Sequence, residues 1–302
     1  MARIDTLDNF VTDVAAAIKN KTGKTDPITP ANFDTEIESI QSGGDTSMED
    51  GLISRSLTEY SNDSVSLIQS YAFYNYKNLT TINFLSAKTI GNYAFSDCSD
   101  LTTINFPSVT EIGNNAFNNC SNLTTAYFPL ATGGIYYSFK ECGNLITADF
   151  PLVTKIDSYA FYRCTKLTTI NFPSATEIGS SSFGDCRKLT VADFPSVITI
   201  GSNAFYNCYN ITTADFPLVT DIYNRAFATC SILETLILRS EVIVRLDNTD
   251  AFTSTPIASG TGYIYVPRAL IEDYKVATNW TIYAAQFRAI EDYPNICGEV
   301  TE

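Results

Sequence analysis

Side chains with reactive groups recur at one fixed spacing along the chain. Of the eight cysteines, all but Cys297 lie 22 residues apart. Stacked neighbours would come within disulfide range, but an odd-numbered series of equivalent thiols cannot all pair. Zinc motifs place cysteines only a few residues apart. We therefore predict buried free thiols that pack as small apolar groups and that fit folding in a reducing compartment. The series comprises Cys98, Cys120, Cys142, Cys164, Cys186, Cys208 and Cys230.

A pair of carboxylates shares the same spacing and raises the possibility of acid–base chemistry. Asp193 and Asp215 would lie roughly 5 Å apart in adjacent repeats, near the separation found in retaining glycosidases. A flat exposed strip, however, provides no pocket that would desolvate one acid and raise its pKa. The chain also contains no histidine, the commonest general base and zinc ligand. The sequence predicts a protein that is not an enzyme, with no metal site and no cofactor.

These side chains belong to a repeat that governs most of the sequence. Its consensus is L-T-T-[IA]-[ND]-F-P-x-[VA]-T-x-I-G-x-x-[AS]-F-x-x-C-x-[NK], and a degenerate copy begins at Leu57. The first six positions match the strand segment of a leucine-rich repeat. We predict an α/β repeat solenoid, a right-handed leucine-rich-repeat coil with parallel strands and a 22-residue period. The regular blocks begin at Leu79, Leu101, Leu123, Leu145, Leu167, Leu189 and Ile211.

Other columns of the repeat have structural explanations. A phenylalanine recurs from Phe73 to Phe227 and would form a stacked internal spine. Proline at position 7, as in Pro107, would end each strand because proline cannot donate to a strand ladder. Glycines such as Gly113 would permit the bend that follows the second apolar group.

The two ends of the chain depart from the repeat. Amphipathic helical spacing predicts a helical attachment segment in residues 1–42, followed by a linker at residues 43–56. The solenoid is assigned to residues 57–238, and a C-terminal cap to residues 239–302.

Within the cap, the sequence predicts a last strand near residues 262–267 and helical pieces at residues 268–277 and 281–290. Four aromatic residues are expected to cover the open apolar end of the coil. They are Tyr274, Trp280, Tyr283 and Phe287.

Two parts of the solenoid are candidates for ligand binding. Positions 3 and 5 of each strand point away from the core, so their side chains form an exposed strip. That strip can be a stiffening ladder, or a groove that binds sugar hydroxyls with Tyr127 as a stacking platform. The block from Leu123 departs most from the consensus and adds tyrosines in its turn. The candidate residues are Asn105, Tyr127, Tyr136, Tyr137, Asp149, Asn171, Asp193 and Asp215.

The F-P step, the I-G turn and the A-F-x-x-C segment resemble the BspA-like, Treponema-type branch of leucine-rich-repeat proteins. The resemblance extends over residues 57–290 and implies adhesion or ligand display, with no catalytic residues. The opening, from Asp5 through Lys21 to Ile37, is similar to amino-terminal segments of tail proteins from phages and prophages of Gram-positive bacteria.

The combined pattern favours a non-enzymatic binding protein of a phage tail or baseplate that recognises a host cell. A bacterial surface adhesin and a purely structural virion subunit stay open as alternatives. We see no secretion signal in the first residues, which favours the virion tail over the bacterial surface. Expected partners are a host-cell polysaccharide or protein, other virion proteins through the N-terminal helices, and a second copy of the chain. The net charge of −14 argues against nucleic acid, and no apolar run is long enough to span a membrane.

Overall fold

A computed structural model describes residues 57–297 of the protein. These residues form a parallel-strand solenoid of about ten turns with a period of about 22 residues and little helix, as the sequence predicts. The attachment segment predicted in residues 1–42 and the linker at residues 43–56 lie outside the described residues. We number the coils 1 to 9 by their first residues, and positions 1 to 22 within each coil. The first residues are Leu57, Leu79, Leu101, Leu123, Leu145, Leu167, Leu189, Ile211 and Leu233.

One short strand per coil forms the first wall, which we call the strand face. Most neighbouring strands pair in parallel with equivalent positions opposite each other, as in Thr103 beside Thr81. In order these strands are β1 (Glu59–Ser61), β3 (Thr81–Asn83), β5 (Thr103–Asn105), β7 (Thr125–Tyr127), β8 (Thr147–Asp149), β10 (Thr169–Asn171), β12 (Val191–Asp193), β14 (Thr213–Phe216), β16 (Thr235–Leu238), β18 (Tyr263–Val266) and β19 (Phe287–Ala289).

A second wall consists of two-residue strands. It is interrupted in coil 4, where Gly133 and Gly134 replace the usual sequence. These strands are β2 (Leu67–Ile68), β4 (Thr89–Ile90), β6 (Glu111–Ile112), β9 (Lys155–Ile156), β11 (Glu177–Ile178), β13 (Thr199–Ile200), β15 (Asp221–Ile222) and β17 (Arg245–Leu246).

The third wall, the turn wall, comprises positions 13 to 22 of each coil. Its backbone bonds to the next coil at alternate residues. In coil 2, Tyr93, Phe95 and Asp97 donate their N–H groups to carbonyls of coil 3 at 2.9, 2.8 and 2.9 Å. Backbone hydrogen bonds therefore join successive coils on three walls and satisfy groups that would otherwise be buried without partners. The strand pairing is broken on the strand face between β5 and β7 and between β10 and β12, and on the second wall at coil 4.

Positions 15 and 19 of the turn wall adopt the left-handed conformation in every coil from 1 to 8, and none of these residues is glycine. The φ values run from 53° at Arg225 to 64° at Tyr71 and Thr229. The consensus glycine serves a different purpose. Gly113 does not have a positive φ, so the expectation that it supplies turn freedom is wrong. A Cβ there would lie 2.5 Å from the backbone nitrogen of Asn92, so glycine is required because two coils approach closely.

Two phenylalanine columns fill the interior. The predicted column at position 17 is buried and stacked, with ring centroids of adjacent coils 5.2 Å apart at Phe73–Phe95 and 5.1 Å apart at Phe205–Phe227. A second column at position 6 packs against it, as Phe106 does against Phe117 at 5.9 Å. Each ring thus contacts the coils above and below, so no coil can bury its core alone.

The cysteine column is buried and free of disulfides, as predicted. Each thiol donates a hydrogen bond to the carbonyl of the phenylalanine 25 residues earlier, at 3.0 Å for Cys98 to Phe73 and 3.3 Å for Cys186 to Phe161. Burial raises the pKa of the Cys98 and Cys230 thiols to about 12. The thiols therefore stay protonated, and a protonated buried thiol is a poor nucleophile.

The C-terminal part continues the solenoid and then covers its end. The aromatic residues predicted to form the cover are buried, and Trp280 Nε1 donates to the Val244 carbonyl at 2.7 Å. The helices are α1 (Pro256–Ser259), α2 (Ile271–Val276) and α3 (Pro294–Cys297), with 3-10 turns at Thr249–Phe252, Arg268–Leu270, Thr281–Tyr283 and Ile290–Asp292.

Two local predictions in this part need correction. The strand β18 is not the last, because β19 pairs with it in parallel. The piece at residues 281–290 is not a continuous helix: a 3-10 turn at Thr281–Tyr283 is followed, after three residues, by β19. Pairing with β18 satisfies the backbone of β19, which the apolar spacing alone did not indicate. No helix among the described residues is long and apolar enough to cross a membrane.

Replacing Gly113 by alanine tests the close approach of the coils. The added Cβ must displace backbone, so we expect a loss of about 1 to 3 kcal/mol in the free energy of unfolding. Gly133→Ala is the matched control, because its nearest atom lies 4.0 Å away. We expect it to change stability by less than about 1 kcal/mol. Denaturant unfolding of both variants measures this, and equal effects would contradict the assignment.

The buried thiols predict destabilisation in alkali. A thiol has an ordinary pKa of 9.0, whereas Cys98 and Cys230 reach about 12 in the folded protein. Between those values the unfolded chain has released protons that the folded chain retains, so stability falls as pH rises. We expect the free energy of unfolding to decline from about pH 9 towards pH 12, and to decline less steeply in Cys120→Ala. Urea unfolding at stepped pH checks this, and identical slopes in the two proteins would refute it.

Candidate functional site

The strand face is the surface that the repeat exposes most regularly. Because side chains alternate along a strand, positions 4 and 6 enter the core and positions 3 and 5 point outwards. In β7, Thr125 and Tyr127 are exposed, whereas Ala126 between them is buried. The same alternation in coils 1 to 8 produces two parallel columns of mostly polar, outward-pointing side chains, whereas position 5 of coil 9 is the buried Ile237.

Side chains of the position-5 column bond to one another along much of the solenoid. Asn105 Nδ2 donates to Asn83 Oδ1 at 2.9 Å, and Asn171 Nδ2 donates to Asp149 Oδ1 at 2.7 Å. Asn83 in turn donates to Ser61 at 3.3 Å. These bonds stiffen the strand face and fix the orientation of the amide and carboxylate groups.

Tyr127 interrupts this ladder. It pairs in register with Asp149, and β7 contacts β5, which carries Asn105. The side chain of Tyr127 is 55% exposed and has no ring contact with another aromatic residue of the described chain. Asn105 Oδ1 and Asp149 Oδ2, on either side, are not used in the ladder bonds. The arrangement places an open aromatic ring between two hydrogen-bond acceptors, which suits contact with a partially polar ligand surface.

Asp193 and Asp215 also lie in register in this column, on β12 and β14. Arg239 binds Asp215 with both nitrogens, Nε to Oδ1 at 3.2 Å and Nη2 to Oδ2 at 2.7 Å. Arg239 also donates to the Cys297 carbonyl. Burial raises the pKa of Asp193, and the neighbouring Asp215 carboxylate adds to the rise. The pair is thus part of a contact that fastens the C-terminal segment to the strand face, with one carboxylate already neutralised by an arginine.

Tyr136 and Tyr137 lie on the turn wall, away from the strand face. Their rings meet edge to face at 4.5 Å, and Tyr137 stacks on Tyr159 of the next coil at 4.6 Å. A similar stack joins Tyr71 and Tyr93 at 5.0 Å. The two stacks each cover one face of the rings that they join, whereas Tyr136 meets Tyr137 at an angle and is partly exposed.

The structure therefore divides the predicted binding residues into three groups. One comprises the residues around Tyr127 on the strand face. A second is Asp193 with the Arg239-bound Asp215, and a third is the tyrosines of the turn wall. Sequence reasoning missed Arg239, because it lies 24 residues after Asp215 and outside the repeat register. It also missed a group of basic side chains on the turn wall, which a comparison of charge at positions 18 to 22 would have found.

Comparison with known families identifies a match over much of the sequence. A family described as "BspA type Leucine rich repeat region (6 copies)" matches residues 54–152 and 135–255, more than half of the chain. No curated protein matches the sequence.

Several solved structures are similar. A leucine rich cell surface protein from Faecalibacterium prausnitzii is 22% identical, covers 77% of this chain and 78% of its own, and has a TM-score of 0.43. A leucine-rich repeat protein from Bacteroides ovatus is 20% identical, with 78% and 84% covered and a TM-score of 0.35. The pneumococcal vaccine antigen PcpA is 15% identical, with 77% of each chain covered and a TM-score of 0.41.

Replacing Arg239 by methionine tests whether it fastens the C-terminal segment. The variant loses two charge-assisted hydrogen bonds to Asp215, and we expect the free energy of unfolding to fall by about 1.5 to 3 kcal/mol. Arg245→Met is the control: Arg245 pairs with Asp221 but is 52% exposed, against 28% for Arg239. It should produce a clearly smaller loss. Denaturant unfolding compares them, and an equal or larger loss in Arg245→Met would contradict the assignment.

Proposed function

We propose that this chain, which belongs to the BspA-type leucine-rich repeat family, is a non-enzymatic, adhesin-like protein that binds another protein through its strand face. Leucine-rich repeat proteins bind other proteins. The observation that carries the proposal is the regular strand face, on which Tyr127 projects from an otherwise hydrogen-bonded ladder. Family membership supports display on a bacterial cell surface rather than in a virion.

The energetics of recognition favour Tyr127 as the centre of this surface. Tyrosine offers a large apolar ring with a polar hydroxyl and only two side-chain torsions to fix, so it is enriched among residues that dominate binding energy. Its neighbours Asn105 and Asp149 are already oriented by the ladder. Little conformational entropy is therefore lost when a partner binds.

The arrangement of the strand face supports a binding role over catalysis. Arg239 binds Asp215, so Asp193 and Asp215 do not form the pair of general acid and nucleophile that a glycosidase needs. Burial does raise the pKa of Asp193, but the carboxylate paired with it in register, Asp215, is bound by Arg239 and is not free to act as a nucleophile.

A polysaccharide is the second class of ligand for the same surface. An exposed tyrosine flanked by acceptors such as Asp149 also suits the stacking and hydrogen bonding of a sugar. We favour a protein because the strand face extends over many coils, which suits the area of a specific protein interface. The two ligand classes are separate outcomes of the binding experiment below.

The phage-tail function stands as a second candidate because of one sequence feature, the resemblance of Asp5 to Ile37 to tail proteins. In that case residues 1–42 attach to the particle, residues 43–56 act as a linker, and the solenoid of residues 57–238 with its cap in residues 239–302 faces the host. Virion partners and self-association belong to this candidate. Labelling of intact producing cells, compared with analysis of purified particles, separates the two locations.

Replacing Tyr127 by alanine tests the strand face as the binding surface. We expect the full-length variant to bind target cells at least about tenfold more weakly than the parent. Truncation of a tyrosine at the centre of an interface can cost about 2 kcal/mol of binding free energy. Tyr136→Ala is the matched control, since its ring is 40% exposed but lies on the turn wall. It should bind as the parent does.

Flow cytometry with labelled protein measures this binding. Protease treatment of the target cells should abolish it, whereas retention after protease and loss after glycan digestion would assign the site to a polysaccharide. Loss of binding in Tyr136→Ala with full binding in Tyr127→Ala would move the site to the turn wall and refute the proposal.

A further inference from the structure

Positive charge is concentrated in one part of the turn wall. Positions 18 to 22 of coils 4 to 6, residues 140–144, 162–166 and 184–188, form what we call the basic turn patch. In coils 1, 2, 3, 7 and 8 the same positions contain one basic residue, Lys77. The whole chain has 33 acidic and 19 basic residues, so the patch runs against the general charge of the protein. Its basic residues are Lys140, Arg163, Lys166, Arg187 and Lys188.

Acidic neighbours neutralise only part of this charge. Glu141 lies 3.4 Å from Lys140 and 3.5 Å from Arg163, so one carboxylate is shared by two cations. Arg187 pairs with the buried Asp185 at 3.0 Å.

Lys166 and Lys188 have no ion pair within residues 57–297. Both are exposed and occupy position 22 of adjacent coils, about 4.8 Å apart along the solenoid. The two ammonium groups on neighbouring coils repel each other, so an anion that binds between them stabilises the patch.

The backbone and the tyrosines hold the patch rigidly. Arg163 has a φ of 61°, at a position where coils 1, 3 and 7 have asparagine, which tolerates this conformation better. Its N–H group donates to the Gly184 carbonyl at 2.8 Å. The guanidinium lies 5.2 Å from the centre of the Tyr162 ring. A Cβ at Gly184 would come within 2.9 Å of that ring, so glycine leaves room for Tyr162 to support the arginine.

We propose that the basic turn patch binds an anionic polysaccharide through its sulfate or carboxylate groups. The basic side chains lie on three successive coils and form a track parallel to the solenoid axis. This arrangement suits a linear polymer with regularly repeated negative charges. Lys166 and Lys188 supply point charges, and Arg163 a planar donor for oxyanions.

A thin polymer that follows this track contacts the basic side chains without covering the strand face. An acidic protein would cover a broader area than a polysaccharide chain. The net charge of −14 on this protein would therefore repel it more strongly. The binding site is separate from Tyr127 and does not depend on the proposed function.

The test compares full-length Lys166→Gln/Lys188→Gln with the parent, using a heparin oligosaccharide as the probe. The matched control is Lys77→Gln/Lys88→Gln, which removes two exposed lysines elsewhere and changes the net charge equally. We expect the patch variant to bind heparin about tenfold more weakly and the control to bind as the parent does. Binding by the parent should weaken as salt is raised. Unchanged thermal unfolding verifies that the variants are folded.

Several outcomes would overturn the proposal. They are absence of heparin binding by the parent, an equal loss in both double variants, and equally strong binding of polyglutamate, which would assign the patch to acidic proteins. Tyr127→Ala should bind heparin as the parent does, and the lysine variant should bind its protein partner normally. A failure here is thereby distinguished from a failure of the strand-face function.

Discussion

Backbone hydrogen bonds between successive coils, which set equivalent positions opposite each other over most of the solenoid, are the constraint from which the other features follow. They bring equivalent positions of the repeat into columns about 4.8 Å apart. At that separation phenylalanine rings stack, a thiol at position 20 reaches the carbonyl of the previous coil, and position 13 leaves no room for a Cβ at Gly113. Each residue type in the consensus is thus required by its neighbour in the adjacent coil more than by its neighbours in sequence.

The period and the apolar columns were sufficient to predict the solenoid and the free buried thiols, because both depend on contacts that the repeat itself specifies. The turn wall was harder to predict. Its left-handed residues include Tyr137 and Arg163, which have no local preference for that conformation. Their backbone hydrogen bonds to the next coil impose it. Strand β19 likewise depends on pairing with β18. The Arg239–Asp215 contact joins two residues that are not separated by the 22-residue period of the repeat. These are tertiary effects without a periodic signature.

The two candidate surfaces differ in their physical character. On the strand face, polar side chains bond to one another, and Tyr127 offers an aromatic ring within a pre-oriented surface. The basic turn patch presents charges that are incompletely paired, with tyrosines supporting them from beneath. One surface suits short-range contact with a shaped partner, and the other suits attraction that acts over several ångströms. The solenoid holds both surfaces on one rigid framework.

Because every coil contacts only the coils before and after it, the interior has no contact that depends on the total number of coils. Duplication or deletion of one whole 22-residue unit would join a position 22 to a position 1 as before and restore every column. Extra residues are tolerated where they lie outside these columns: Thr235 pairs with Tyr263, and Phe227 stacks on Phe252, although both spacings exceed the period of the repeat. Recombination between repeats can therefore lengthen or shorten this protein by complete units during evolution without disturbing its core.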